Sequence, residues 1–163
     1  MRIFRWLAFS ALLMTSVSGA NTQDFDKGAA ALEAGDFKAA LKEFLPLAEG
    51  GDVTAQFIIG RMYYEGLGVI QNYVEALKWY RLAAGQGDAM VQGNIGVMYY
   101  EGEGVKQNNE IAHMWFNIAS SNGEEKSASI RDLIAAKMTG EEIAKAQALA
   151  KECISSGYKN CGD

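Results

Sequence analysis

The stretch of sequence that decides the fold is a unit of 34 residues written twice. Its copies are AQFIIGRMYYEGLGVIQNYVEALKWYRLAAGQGD at 55–88 and VQGNIGVMYYEGEGVKQNNEIAHMWFNIASSNGE at 91–124, offset by 36 residues and identical at 16 of 34 positions. A period of this size indicates one supersecondary unit that stacks on its neighbours and shares a continuous core with them. The sequence therefore predicts a repeat architecture before any single residue is assigned a chemical role.

Each copy predicts two α-helices joined by a short loop. Apolar residues recur at helical spacing over about 53–65 and 89–101, which we name helix A, and over about 73–86 and 109–122, which we name helix B. Runs that alternate between apolar and polar residues, as half-buried strands require, are lacking. The sequence therefore predicts helical hairpins.

Each helix B is expected to open with a cap that follows a glycine loop. Asn72 with Glu75 three residues later predicts a capping box, and Asn108 occupies the equivalent cap position in the second copy. The glycines of the two loops are Gly66, Gly68, Gly102 and Gly104. We expect them to adopt positive φ in a turn, because a phosphate-binding loop would need a preceding strand and usually a nearby lysine.

Two residue types inside these helices predict packing rather than chemistry. Gly60 and Gly96 each cost about 1 kcal/mol relative to alanine in a helix interior, so we expect two helices to approach closely at both. Trp79 and Trp115 belong to an aromatic and alanine stripe with helical spacing. Such a stripe is typical of a core, and a cofactor-binding box is the alternative.

The regions on either side of the two copies continue the helical pattern. Before them, Asp24–Ala34 and Phe37–Glu49 predict a hairpin that lacks the glycine loop. After them, Ala128–Met138 predicts one more helix A, and Thr139 with Glu142 predicts a capping box that opens the last helix. We therefore expect an all-α fold, an α/α solenoid of about four antiparallel helical hairpins.

The first twenty residues have the composition of an export signal. Arg2 and Arg5 precede an apolar run from Trp6 to Met14, and small residues end the stretch at Ala20. The run is shorter than the roughly 20 apolar residues that a membrane-spanning helix needs. We therefore expect cleavage after Ala20 and a mature chain that is periplasmic or secreted, with no membrane span.

Charge and length bound the partners and the domain organisation. Without Arg2 and Arg5 the chain has 13 basic and 20 acidic residues, a net charge of −7. Because nucleic acid and anionic lipid attract basic surfaces, neither is an expected partner. The predicted segments are a signal peptide (1–20) and one solenoid domain (21–163), made of an N-terminal hairpin (24–50), two repeats (53–88 and 89–124) and a C-terminal capping hairpin (125–163).

Two motifs of the unit resemble those of a known family. The stretches IGRMYYEGLGV at 59–69 and ALKWYRLAA at 76–84 resemble the LGxMYxxGxGV and AxxWYxxAA motifs of the Sel-one-like repeat (SLR), a relative of the tetratricopeptide repeat. The second copy departs at Ser120, where the pattern has alanine, and MTGEEIAKAQALAKE at 138–152 looks like the closing segment of exported bacterial SLR proteins. The resemblance implies a right-handed, tetratricopeptide-like superhelix that acts as an adaptor, usually without catalysis, and no cofactor is expected.

The two cysteines predict a disulfide in an exported chain. Cys153 and Cys161 are the only pair available, and a bond between them would pin the last segment to the final helix. Their spacing also resembles the cysteine-rich exported SLR subgroup, for which the resemblance implies β-lactam binding or weak β-lactamase activity. Full repeats of that subgroup carry the pair, whereas here the matching positions are Ala84 and Gln92, which weakens the likeness.

Residues that could carry chemistry form no familiar constellation. Ser156 to Lys159 matches S-x-x-K, but no S-D-N or K-T-G motif accompanies it. His113, the only histidine, cannot build a common metal site alone, and we expect a partly buried surface residue. The acidic residues near the loops are Glu65, Glu101, Glu103, Glu124 and Glu125. We expect a solvated rim there, and paired carboxylates for acid–base work or cation binding are the alternative.

The non-core positions of helix A are the expected contact surface for a partner. In arrays of this type helix A faces the inside of the curve, and large apolar, aromatic or arginine side chains there are typical interface anchors. The candidate binding residues are Phe57, Arg61, Tyr64, Val97 and Tyr100. The alternative is that Phe57 and Val97 pack against neighbouring hairpins.

We expect a monomeric, non-catalytic scaffold for a protein or peptide in the bacterial envelope. β-lactam binding and a purely structural role in a larger assembly are the alternatives.

Overall fold

The computed structural model describes residues 14–162, with side chains from Thr22 onward, and this part is all α-helix and connecting loops. Its helices are α1 (Met14–Glu33), α2 (Phe37–Glu49), α3 (Val53–Glu65), α4 (Tyr73–Ala84), α5 (Ala89–Glu101), α6 (Asn109–Ser121), α7 (Glu125–Ala135) and α8 (Gly140–Ser155). The predicted all-α fold is confirmed, and α3 to α6 end within two residues of the bounds expected from the apolar periodicity. Among the helices of this part, none is long and apolar enough to cross a bilayer.

Stacked hairpins share the core. α1 packs on α2, α3 on α4 and α5 on α6, and each helix B also packs on the following helix A. Ala40, Phe44 and Ile59 are fully buried in the core between the first two hairpins. A larger core cluster lies between the second and third hairpins and the C-terminal helices.

The tryptophans of the two repeats are packing residues, as predicted. Trp115 is 2% exposed within the larger core cluster, and Trp79 is half-buried against the smaller one. The stripe on which both lie is therefore core and not a cofactor-binding box.

Helices approach closely at the glycines, as predicted. A Cβ added to Gly60 would lie 2.5 Å from the ring of Tyr80, and one added to Gly96 would lie 3.0 Å from the ring of Phe116. In the loops, a Cβ on Gly68 or Gly104 would lie 2.8 or 2.7 Å from the backbone at the start of the preceding helix B. Both loop glycines also have positive φ, 72° and 71°. A side chain at either position would therefore clash with the neighbouring backbone and strain its own.

Side-chain caps fix where several helices begin. Thr139 and Glu142 form the predicted capping box at the start of α8. Asn72 caps α4 by accepting hydrogen bonds from the Val74 and Glu75 N–H groups. The reciprocal half of the predicted box is not formed there, because the Glu75 carboxylate pairs with Lys78 instead.

The ends of the chain differ most from expectation. α1 begins ten residues before Asp24 and continues through the predicted cleavage point after Ala20; residues 1–13 of the predicted signal lie outside the described part. α7 begins at Glu125 rather than Ala128, because the Glu124 carboxylate accepts a hydrogen bond from the Ser127 N–H at 2.6 Å. α7 and α8 each pack on α6, and their contact with each other is slight, so they do not pair as α3 and α4 do.

Candidate functional site

Four of the five candidate binding residues line one cavity of about 310 Å³ between α3 and α5. They are Phe57, Arg61 and Tyr64 from α3 and Val97 from α5. Helical spacing brings the first three to one face, since positions four and seven residues apart lie on the same side of a helix. Tyr80, Glu65, Met90 and Asn94 complete the lining. We name this cavity, with the helix surfaces that line it, the helix-A groove.

The floor of the helix-A groove is aromatic. Phe57 stacks on Tyr80 with ring centroids 6.1 Å apart, and Tyr64 lies 6.4 Å from Tyr80 and 5.1 Å from Tyr73. Burial raises the pKa of the Tyr80 phenol, so the ring stays neutral at any physiological pH. Tyr80 belongs to the aromatic and alanine stripe of helix B, for which the sequence predicts a place in the core. Its replacement by Phe116 in the second copy is the signal that its hydroxyl is not needed for the fold.

Charge at the rim of the groove is largely neutralised. The Arg61 Nε donates to the Glu65 carboxylate at 2.8 Å, and this hydrogen bond raises the pKa of Arg61. The Tyr64 hydroxyl donates to Glu103 Oε2 at 2.6 Å and so ties the first repeat to the loop of the second. Burial and this bond raise the pKa of Tyr64. The Tyr64 hydroxyl therefore holds the two repeats together, and its ring lines the groove.

A second cavity of about 270 Å³ adjoins the helix-A groove. Phe57 and Arg61 line both cavities and form the wall between them. The other lining residues come from the N-terminal hairpin and from α3 with its loop: Leu32, Glu33, Phe37, Ile58, Met62 and Leu67. Sequence reasoning missed this cavity because it depends on how the first hairpin seats on α3.

Tyr100, the fifth candidate, lies outside the groove. Its hydroxyl accepts a hydrogen bond from Lys137 Nζ at 2.9 Å, and the same nitrogen lies 5.5 Å from the ring centroid. This contact raises the pKa of Lys137. Tyr100, which matches Tyr64 in the second copy, therefore contacts Lys137, just after the end of α7, instead of facing the cavity.

Comparisons with known proteins agree with this geometry. Residues 53–88 and 89–124 each match the family model described as Sel1 repeat. The chain contains two Sel1 repeats. The crystal structure of c5321, a protective antigen of uropathogenic Escherichia coli strains with an SLR fold, matches at a TM-score of 0.78 and 28% identity and covers 88% of this chain and 32% of that chain. This Sel1 repeat protein thus spans about a third of the length of that relative.

A second solved structure is of similar size. The Sel1 repeat protein from Oxalobacter formigenes matches at a TM-score of 0.63 and 28% identity, over 74% of this chain and 96% of that chain. A comparison with curated proteins found no match. The family, the solenoid and the general role of Sel1 repeats as protein-interaction scaffolds follow from these matches.

The predicted surface position of His113 in this Sel1 repeat protein is wrong. His113 is buried, as Leu77 is at the matching position of the first repeat, and within the described residues its Nδ1 has no hydrogen-bond partner. Burial, assisted by the charge of Arg131, lowers the pKa of His113, so the imidazole is neutral. Within residues 14–162, no group of three or more histidine, cysteine, aspartate or glutamate residues is arranged to hold a metal ion.

The predicted disulfide between Cys153 and Cys161 is present. Ser156, the serine of the S-x-x-K match, lies inside the loop that the disulfide closes. Its Oγ donates to the Cys153 carbonyl and accepts hydrogen bonds from the N–H groups of Lys159 and Asn160. These bonds explain the serine as a turn-forming residue.

Proposed function

We propose that this Sel1 repeat protein is a non-catalytic scaffold of the bacterial cell envelope that binds a peptide segment of a partner protein in the helix-A groove. The observation that carries the proposal is the pair of adjoining cavities separated by Phe57 and Arg61. The two dividing residues stand at positions that differ between the repeats, so the shared frame does not require these side chains: Gly93 and Val97 stand where Phe57 and Arg61 stand.

The size of the two cavities favours side chains of a peptide over a small-molecule ligand. Ligand pockets usually enclose about 300–1,000 Å³, and each cavity here lies at or below the lower end of that range. Two apolar side chains of one segment, one on each side of the Phe57 ring, would fill them. Because Arg61 is already paired with Glu65, the binding free energy would come mainly from apolar and aromatic contact.

The envelope part of the proposal is supported by the sequence. Arg2, Arg5 and the apolar run to Met14 have the pattern of an export signal. A disulfide between Cys153 and Cys161 is stable in an oxidising compartment such as the periplasm. Export to the periplasm or beyond would therefore explain both the N-terminal signal pattern and the disulfide.

Selection from a displayed library of random 12-residue peptides tests the binding site. We expect the protein to enrich peptides with two apolar residues a few positions apart. Phe57→Ala with Arg61→Glu should abolish their binding in fluorescence anisotropy. Tyr100→Ala is the matched control, since Tyr100 lies on the same helix face of the second repeat but outside the groove, and it should bind as the wild type does.

Two results would overturn the groove assignment. One is a library that yields no peptide above background. The other is a peptide that binds the Phe57→Ala, Arg61→Glu variant as tightly as the wild type while far-UV circular dichroism shows both proteins folded.

A further inference from the structure

The outer face of helix B can be compared position by position across three hairpins. With the repeat offset of 36 residues, the three outermost positions are Lys38, Lys42 and Pro46 in α2, then Val74, Lys78 and Leu82 in α4, then Glu110, Met114 and Ile118 in α6. All three positions are exposed in α2 and in α4. In α6 the last two are fully buried. One face of one helix type is therefore open in two hairpins and covered in the third.

Helix α8 is the element that covers this face of α6. Met114 and Ile118 share a core cluster with Ala150 and Cys153 of α8. Where the covering helix crosses the start of α6, Lys145 forms an ion pair with Glu110. The packing of α8 on α6 thus shows which kind of element fits the outer face of helix B. It is an amphipathic helix with a stripe of small residues and one charged side chain at its edge.

The same face of α4 is apolar but uncovered in the described part of the chain. Val74 is 50% and Leu82 is 52% exposed, and Ile70, in the loop that leads into α4, is 92% exposed. The fold does not require apolar residues here, since α2 has two lysines and a proline at the matching positions. Exposed apolar side chains that the fold does not need are typical of an interaction surface.

We propose that the outer face of α4, formed by Ile70, Val74, Lys78 and Leu82, is a docking site for one amphipathic helix of a partner protein, packed as α8 packs on α6. The partner helix would place alanine or aliphatic side chains on Val74 and Leu82. It would place a carboxylate near Lys78, whose present partner Glu75 is on its own helix. This site is formed by helix B, so it does not depend on the helix-A groove.

Charge argues against the two other possible occupants. Lys78 lies midway between Val74 and Leu82, so a second copy related by a two-fold axis through this face would bring Lys78 against its equivalent. A membrane-binding helix carries a polar face rich in lysine and arginine. α4 instead carries Glu75 beside Lys78, on a protein of net charge −5.

A synthetic peptide provides the probe. Its sequence is residues 139–155 of this chain with Cys153→Ser and a fluorophore, and it keeps the Thr139–Glu142 capping box because so short a helix is marginal in isolation. The protein's own α8 cannot readily exchange with it, since α8 is part of the same chain. We expect anisotropy titration against the full chain to show saturable binding at micromolar concentration.

Two variants locate the binding. Val74→Gln with Leu82→Gln should weaken peptide binding by about tenfold and leave the melting temperature unchanged, because both side chains are exposed. Lys38→Ala with Lys42→Ala, on the same outer face of α2, is the control and should bind like the wild type. A peptide with Ala146→Asp and Ala150→Asp, which disrupts the small-residue stripe, should not bind.

Three outcomes would overturn the proposal. The first is that the peptide does not bind the wild type even at concentrations 100-fold above the expected range. The second is that it binds the Val74→Gln, Leu82→Gln variant as tightly as the wild type. The third is that the same double variant abolishes sedimentation with phosphatidylglycerol vesicles, or abolishes dimer formation in analytical ultracentrifugation, while peptide binding persists. That result would assign the face to a membrane or to a second copy of the chain.

Discussion

The two full repeats share a frame but differ in how much of their surface is covered. In repeat 53–88 the helix-A face holds a cavity and the outer face of α4 is exposed. In repeat 89–124 Lys137 covers Tyr100, and α8 covers Met114 and Ile118. Identical glycines, tyrosines and tryptophans therefore fix the helices. The positions between them decide how much of each repeat is exposed and how much is covered.

The links that hold successive hairpins also differ along the chain, although all of them span eight residues. Gln56 Nε2 donates to the Ala48 carbonyl and Gln92 Nε2 donates to the Ala84 carbonyl, each at 3.1 Å. At the end of the chain a disulfide joins Cys153 to Cys161 over the same separation. The links between packed hairpins are therefore buried hydrogen bonds, whereas the link after α8 is covalent.

The largest expected difference between the repeats is in the stability lost when each tryptophan is replaced. Trp115→Ala should destabilise the protein by about 3–5 kcal/mol, because it opens a cavity in a fully packed core. Trp79→Ala should cost about half as much, since that side chain is only half-buried. Urea unfolding followed by circular dichroism measures both. Equal losses for the two variants would show that the repeats bury their tryptophans alike.

The next effect concerns the two kinds of link. Replacing both cysteines by serine should lower the free energy of unfolding by about 2.5 kcal/mol, the loop-closure term for so short a loop. Gln92→Leu should cost about 1–2 kcal/mol, because it removes the hydrogen bonds that Gln92 donates to the Ala84 carbonyl and accepts from the Asn122 amide. Chemical denaturation of both variants and of reduced wild type measures the two losses. A larger loss for Gln92→Leu would mean that the buried hydrogen bond is the stronger link.

A smaller contrast is expected at the helix glycines. Gly60→Ala should destabilise by about 1–2 kcal/mol, because the new methyl group would lie 2.5 Å from the buried and stacked ring of Tyr80. Gly96→Ala should be close to neutral, since the Phe116 ring has to move only slightly and alanine gains about 1 kcal/mol over glycine in a helix. Melting temperatures test the pair, and a stabilised Gly60→Ala variant would refute the close approach.

Local spacing explains why much of the architecture could be predicted from the sequence. Helix bounds, loop glycines and close helix contacts at Gly60 and Gly96 follow from a periodicity that repeats in step. The grouping of Phe57, Arg61 and Tyr64 follows from their positions on a single helix. Each of these features needs information from one helix or from one pair of adjacent helices.

Features that depend on distant packing could not be predicted in this way. The place of α8 on α6 is decided by contact between two helices that are not adjacent in the chain. The contact between Tyr100 and Lys137 joins residues 37 positions apart. The second copy did carry a signal for the covering of α6: Met114 and Ile118 stand where α2 has Lys42 and Pro46.

The smallest expected difference between the repeats is in how their stability depends on pH. His113 stands where the first repeat has Leu77, and its pKa in the folded state is lowered by burial, with Arg131 adding to the shift and Asp132 opposing it. As the pH falls below about 6.5, the unfolded state gains a proton on this histidine that the folded state does not, so stability falls with pH. The unpartnered Nδ1 also costs free energy at neutral pH.

His113→Leu should therefore stabilise the protein by about 1 kcal/mol at pH 7.5 and by more at pH 5.5, and should flatten the pH dependence between these values. Glu124 and Glu142, whose pKa values are lowered by hydrogen bonds at helix starts, lose their stabilising contributions only at lower pH, so they do not contribute in this window. Urea midpoints at intervals of half a pH unit measure the slope for both proteins. If wild type and variant keep parallel slopes, the acid sensitivity arises elsewhere and His113 is protonated in the fold.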